Sequence, residues 1–358
     1  MNTMDIMRVA IRPALQDIEE YKPGKLIPGA IKLSSNENPL GPSQKVLTEI
    51  IDSIKEGKLN LSVYPWERKE EELIEEIARY VGMKKENIVI GAGIDGVLDT
   101  LVKIFIAAGD EALIPIPTFS LYESLVKIGG GKPGYIMRKS DFSFSIADLI
   151  SACTEETRML FIASPNNPSG NCIRESEVRE IAQSVPEAMV IIDEAYVEFA
   201  DSSLLKQMDE TDNVLLLRTF SKAFGLAGLR VGYAVVPEWL AGIYKKVAMP
   251  FTVNNIALIA ARTALRDREH LSRTVELVKH GRKYLTENLQ CKVYPSQANF
   301  VLLDVAPANS HAVYEALLKK GIIVRDCSSF RGAGESLIRI SVGTMEENEK
   351  VVTAFNAL

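Results

Sequence analysis

Five short apolar runs, each closed by turn-forming residues, constrain the fold more than any other feature of this chain. They are Ile88-Val89-Ile90, Ala112-Leu113-Ile114, Met159-Leu160-Phe161-Ile162, Val190-Ile191-Ile192 and Val214-Leu215-Leu216-Leu217. A strand that is apolar at every position must be covered on both faces, which is the condition of a parallel sheet enclosed by helices. Between several runs lie helical patterns: Val97, Leu101 and Phe105, with Leu98 and Val102, recur at the spacing of one helix face, as do Leu73, Ile77 and Val81. Strand and helix alternate, so the body is predicted to be α/β.

The tail has a different character. From about Asn254 to Asn288 the pattern is mostly helical; strand-like 299–303, a helix near 311–320, and strand-like 322–324 and 337–340 follow. Thr344 and Glu347 have the spacing of a capping box ahead of a last helix carrying Val351, Val352, Phe355 and Leu358. The expected organisation is a large α/β domain over 32–252 and a smaller α+β domain formed by 1–31 with 253–358. Gly129-Gly130-Gly131 reads as a turn.

Composition narrows the function. With 358 residues, 47% hydrophobic and 25% charged, the chain has the balance of a soluble globular protein long enough for two domains. Forty-one basic against 47 acidic side chains give a net charge of −6, so there is no basic field to hold nucleic acid. No apolar run approaches a membrane span and the first residues lack a signal sequence, which predicts a cytoplasmic address. Four cysteines with no C-x-x-C and only three histidines argue against zinc, a disulfide framework and Ser-His-Asp chemistry.

Open α/β sheets bind ligands beyond the carboxyl ends of their strands. Here those loops are Gly91-Ala92-Gly93-Ile94-Asp95, Pro117-Thr118-Phe119, Ser164-Pro165-Asn166-Asn167-Pro168, Asp193-Glu194-Ala195-Tyr196 and Thr219-Phe220-Ser221-Lys222. Gly91 to Gly96 matches G-x-G-x-x-G, but a dinucleotide site also needs an acid at the end of the next strand. Asp110 and Glu111 instead precede that strand. What survives is either a tight turn or a helix N-terminus whose amides hold a phosphate.

Lys222 by itself reads as a solvated amine. Among small and apolar neighbours, with Arg230 eight positions on, it reads as a desolvated one suited to Schiff-base chemistry. Asp193 ends an apolar strand, so it either caps the following turn or faces a cationic partner such as a protonated pyridine nitrogen. Asn167 and Tyr196 are donors to a phenolate-like oxygen or else a turn former and a packing residue; Phe119 stacks on a flat ring or belongs to the core.

Ser-Pro-Asn-Asn-Pro-Ser-Gly (164–170), Asp-Glu-Ala-Tyr (193–196) and Ser-Lys-Ala-Phe-Gly-Leu-Ala-Gly-Leu-Arg (221–230) occur in order and resemble the pyridoxal-phosphate aminotransferases of the aspartate-aminotransferase-like fold. The resemblance runs along nearly the whole chain. It implies a mostly parallel seven-stranded sheet flanked by helices, with a smaller α+β domain. It implies that Lys222 carries pyridoxal 5′-phosphate, that Asp193 pairs with the pyridine nitrogen, and that Asn167 and Tyr196 contact the ring oxygen. Ser221, Thr219, Arg230 and the amides of Ile94 and Asp95 would hold the cofactor phosphate, with Phe119 over the ring.

Arg12-Pro13, Tyr21-Lys22-Pro23-Gly24-Lys25, Asn36-Glu37-Asn38-Pro39, Val63-Tyr64-Pro65, Val324-Arg325-Asp326 and Ile338-Arg339-Ile340-Ser341-Val342-Gly343 are similar to landmarks of the histidinol-phosphate aminotransferase family. That resemblance implies amino-group transfer between L-histidinol phosphate and 2-oxoglutarate. The enzyme would be a homodimer in which Tyr64 reaches the neighbouring subunit's cofactor, and Tyr21, Asn167, Arg325 and Arg339 would bind substrate. Gly96 stands where the family often has Glu, and Phe119 where it often has Tyr. The run from Arg325 to Arg331 also resembles threonine-phosphate decarboxylase, a lyase of the same fold, which is the alternative reading beside a broad-range or aromatic aminotransferase.

Overall fold

All five apolar runs form strands of one sheet, and two further strands complete it. The computed structural model describes residues 12–16, 18, 20 and 24–358. The strands are β1 (Ile88–Gly91), β2 (Glu111–Ile116), β3 (Lys132–Met137), β4 (Thr157–Ala163), β5 (Met189–Asp193), β6 (Val214–Thr219) and β7 (Gly232–Val235). Their spatial order is β1-β7-β6-β5-β4-β2-β3. Only β7 runs against its neighbours; the other pairings are parallel.

Alternate residues of the central strands serve opposite faces, as the two-residue period of a strand requires. Leu160, Ile162, Val190, Ile192 and Leu216 pack with helices Glu67–Val81, Glu175–Ser184 and Asn255–Arg266. Phe161, Ile191, Leu215 and Leu217 pack with α1 (Gly93–Phe105), α2 (Leu121–Gly129) and helix Glu238–Val247. Helix Asn255–Arg266, which the tail pattern grouped with the smaller domain, thus contributes Leu258, Ala261 and Leu265 to the core of the large sheet.

The smaller domain is built on β8 (Lys292–Tyr294), β9 (Phe300–Asp304), β10 (Arg325–Asp326) and β11 (Leu337–Ser341), an antiparallel sheet in the order β10-β11-β9-β8. Phe300, Leu303, Ile338 and Ile340 bury against Leu285 and Val351 of the long helices behind it. The expected capping box forms: the Thr344 hydroxyl accepts from the Glu347 amide and the Glu347 carboxylate from the Thr344 amide. Ile322–Ile323 is a strand, as its apolar run suggested, and pairs in parallel with Ile31–Lys32 in place of joining this sheet. That pairing draws residues 33–37, which follow directly, between the two sheets.

Gly130 ends α2 at φ 97° and Gly131 leads into β3, so the triple glycine is a tight helix-to-strand turn. A Cβ on Gly131 would lie 2.5 Å from Ile106 Cγ2, which leaves no room for a larger residue.

Candidate active site

The carboxyl ends of β2, β4, β5 and β6 open into a cavity of about 420 Å³, closed on the other side by residues of the smaller sheet. Asp193, Lys222, Tyr196, Asn167, Arg325 and Arg339 all line it.

At the start of α1 the chain turns through Gly93 at φ 74°, a conformation that favours glycine. Strand β7 begins against this turn: a Cβ on Gly232 would lie 2.6 Å from the Ile94 nitrogen and 2.7 Å from the Gly93 carbonyl carbon. A Cβ on Gly93 would lie 2.7 Å from Arg230 Nη2. Two glycines therefore bring the first turn of α1, with Ile94 and Asp95, close to β7 and to the Arg230 guanidinium. Arg230 itself adopts a left-handed backbone (φ 52°, ψ 64°) and donates from Nη2 to Asp95 Oδ2 at 2.9 Å. Thr219 and Ser221 are buried beside them, the Ser221 amide donating to Thr219 Oγ1 at 3.0 Å. This is a compact anion cradle at a helix N-terminus.

Adjacent acids at the end of β5 have opposite fates. Glu194 is consumed by a buried ion pair, accepting from Arg218 Nε and Nη2 at 2.9 and 2.7 Å and from the Leu204 amide at 2.7 Å. Asp193 lines the cavity. It accepts from the Tyr122 hydroxyl at 2.5 Å and from the Ala195 amide at 2.9 Å. Burial still outweighs these donors and lifts its carboxyl to about 6, with Asp95 and Glu194 adding to the rise. A buried acid in that condition favours a cationic partner.

Lys222 follows β6, and its Nζ donates to the Ser35 carbonyl at 2.9 Å while lying 5.8 Å from the centre of the Tyr196 ring. Burial first, then the charge of Arg339, bring the amine down to about 8 against the opposing pull of Glu37 and Asp95. A substantial neutral fraction at physiological pH is what a nucleophilic amine requires. The Tyr196 hydroxyl accepts from Asn36 Nδ2 at 3.0 Å, and its ring meets Phe300 edge-on at 5.2 Å. Arg339 is buried, donates to Asn167 Oδ1, and donates from Nη2 to the Ser34 carbonyl at 2.6 Å.

The class I and II aminotransferase family matches residues 28–355. Histidinol-phosphate aminotransferase of Methanosarcina mazei is 48% identical over 97% of this chain and 96% of its own length. The chain belongs to the class I and II aminotransferases, and within them to the histidinol-phosphate aminotransferase family. Among solved structures, the family member of Sinorhizobium meliloti in complex with pyridoxal-5′-phosphate superposes with a TM-score of 0.85 at 26% identity. That alignment covers 97% of this chain and 96% of that one. The histidinol-phosphate aminotransferase of Clostridium acetobutylicum gives 0.83 at 26%, covering 91% and 98%.

In this aminotransferase the residues singled out in sequence fall into three groups. Lys222, Asp193, Tyr196, Asn167, Phe119, Ile94, Asp95, Ser221, Thr219, Arg230, Arg325 and Arg339 share the cavity wall. Tyr64 does not: it is 73% exposed, stacked on Phe251 at 4.7 Å, away from its own chain's cavity. Tyr21 lies outside the described residues, as does much of the segment 1–31.

Sequence reasoning passed over Tyr122, which holds the Asp193 carboxylate, and the stretch Ser34-Ser35-Asn36. Tyr122 sits one turn from Leu125 and Val126 on the apolar face of α2, where its pattern is that of a core residue. Ser34 and Ser35 act through backbone carbonyls, which leave no mark on side-chain identity.

Gly232→Ala is expected to cost about 1–3 kcal/mol, because the new methyl meets backbone atoms that cannot move aside. Thermal unfolding of the variant measures it; an unchanged midpoint would show that the loop and strand are not closely packed.

Proposed function

We propose that this enzyme binds pyridoxal 5′-phosphate in the cavity and exchanges an amino group between L-histidinol phosphate and 2-oxoglutarate in histidine biosynthesis. One observation carries the reading: a buried amine of lowered basicity and a buried acid with no cationic partner among the described residues line the same cavity, beside an anion cradle.

The donor set fits the cofactor. Thr219, Ser221, Arg230 and the first-turn amides of Ile94 and Asp95 would hold its phosphate, Asp193 its ring nitrogen, Asn167 and Tyr196 its ring oxygen, and Phe119 a ring face. When bound, the cofactor supplies an electron sink for negative charge at the carbon that bears the amine. Lys222 would be the amine that holds the cofactor, and once displaced by the substrate amine its Nζ would serve as the base that takes up and returns a proton at the substrate carbon. The Asp193 carboxylate would favour a proton on that ring nitrogen. Arg339 and Arg325 serve both substrates, since planar guanidinium groups suit phosphate and carboxylate alike. Sharing one site between two half-reactions gives ping-pong kinetics.

The same reading makes the enzyme a homodimer. Leu61, Val63, Tyr64, Phe251 and Ile256 gather at one exposed groove, which supports a partner surface through which Tyr64 reaches the second subunit's cofactor phosphate. No helix among the described residues is long and apolar enough to cross a membrane, and the proposed substrates are small molecules of a cytoplasmic biosynthetic step.

The deciding assay incubates the purified protein with histidinol phosphate and 2-oxoglutarate, and separately with threonine phosphate. Glutamate from the first mixture alone supports the proposal; carbon dioxide from the second overturns it. Cofactor capture also has a signed pH dependence. The Lys222 amine is protonated below about 8 and cannot attack, so uptake of cofactor by the apoenzyme should accelerate as pH rises and level off above that value. Stopped-flow absorbance at several pH values measures this, and a rate that keeps climbing through pH 9 without levelling would reject the lowered basicity.

A further inference from the structure

Arg331 is the cation of the 325–331 run that the proposed chemistry leaves without a task. It does not line the cavity that holds Lys222; it lines a neighbouring cavity that shares Arg325, Ser329 and Phe330 with the first. Its guanidinium forks onto one carboxylate of the opposite sheet's helix: Nε donates to Glu123 Oε2 and Nη2 to Glu123 Oε1, both at 2.8 Å. The two residues are 208 positions apart in sequence.

The fork is well supported. Lys127 donates to Glu123 Oε1 at 2.7 Å from one turn further along α2, and the Arg331 guanidinium lies over the Tyr135 ring at 4.9 Å. Burial raises the Glu123 carboxyl, but hydrogen bonds from Arg331, Lys127 and Tyr135 more than reverse this and hold it down to about 2. An isolated pair this exposed on its arginine side would contribute little, whereas a bidentate pair in a charge network with its acid largely covered is the favourable case.

At the other end of the same loop, Arg325 packs over the Phe330 ring at 5.5 Å and donates to Ser329 Oγ at 3.3 Å. Cys327 is fully buried and Phe330 nearly so, which makes the loop from Arg325 to Arg331 one packed unit. Its charged tie to the large domain is made with Glu123, on the helix that begins just after Phe119 and Ser120 of the cavity wall.

We propose that Arg331 is a positioning residue: by gripping Glu123 it fixes the loop that carries Arg325, and so sets the reach of that arginine to the anionic group of the substrate. The proposal rests on the reading of Arg325 as a substrate anchor. Arg331 acts here without touching substrate.

Steady-state kinetics of the holoenzyme with histidinol phosphate test it through three variants. Arg331→Met is expected to raise KM about 10-fold while kcat stays within about twofold, the pattern of lost binding common to ground and transition states. Glu123→Gln should do the same, because it releases the same loop, and the double variant should be no worse than either single one. The Glu123→Arg, Arg331→Glu exchange should restore part of the wild-type KM. Cofactor affinity, read by absorbance titration, should be unchanged throughout. If Arg331→Met raises KM while Glu123→Gln leaves it unchanged or lowers it, Arg331 binds substrate directly and the positioning role is wrong. Unchanged KM in all variants also overturns it, as does a parallel loss of cofactor affinity. Failure of the wild-type enzyme to convert histidinol phosphate would instead strike the functional reading itself.

Discussion

Replacing Lys222 by alanine should lower kcat by at least about 10³-fold, because the variant loses both the attachment point of the cofactor and the base that moves the substrate proton. The second signature is covalent. After borohydride reduction the intact wild-type chain should gain the mass of the reduced cofactor, whereas the variant should not. Among the described residues the wild-type amine donates to the Ser35 carbonyl and to no carboxylate, so its removal vacates space without breaking an ion pair. Folding is expected to survive, and circular dichroism checks this. A variant that still traps cofactor under borohydride would place the attachment at another lysine and undo the assignment.

Asp193→Asn tests the other half of the site. The substitution keeps the shape of the side chain and the amide contact from Ala195 but removes the negative charge that would hold a proton on the ring nitrogen. Loss of a preorganised charge at a site of this kind costs about 10²–10³ in rate. The fall should appear in kcat as well as in cofactor affinity. Tyr122→Phe, which deletes only the hydroxyl donating to Asp193 Oδ2, should produce a smaller drop in the same direction. Full activity in Asp193→Asn would mean that the carboxylate serves the turn after β5 and not the cofactor.

The two strands that escaped the sequence pattern show why the sheet was only partly legible. Strand β3 is an edge strand containing Pro133 and Gly134, half covered, so it lacks the uniform apolar character that marks its neighbours. Strand β7 is four residues long, begins with glycine and runs antiparallel, outside the alternation of strand and helix that reveals the others. The site was more readable than the sheet because it is assembled from the loops that follow the readable strands. The resemblance pointed to Asp193, but what sequence could not convey was the physical reason that it and not Glu194 lines the cavity. That depends on Arg218, one strand away, claiming Glu194. Nor could it reveal contacts made by main-chain oxygens.

One of those contacts has a practical bearing on mutational studies. The carbonyl that receives the Lys222 amine and the carbonyl that receives the Arg339 guanidinium belong to consecutive residues, Ser35 and Ser34. The next residue, Asn36, supplies the donor to Tyr196, and its own carbonyl accepts from Asn299. Three consecutive residues, the last in a left-handed conformation at φ 54°, thus act as a common mounting for Lys222, Tyr196 and Arg339. Saturation mutagenesis along this short stretch will yield few variants in which recognition and turnover come apart, since a shift of a single peptide plane disturbs both together.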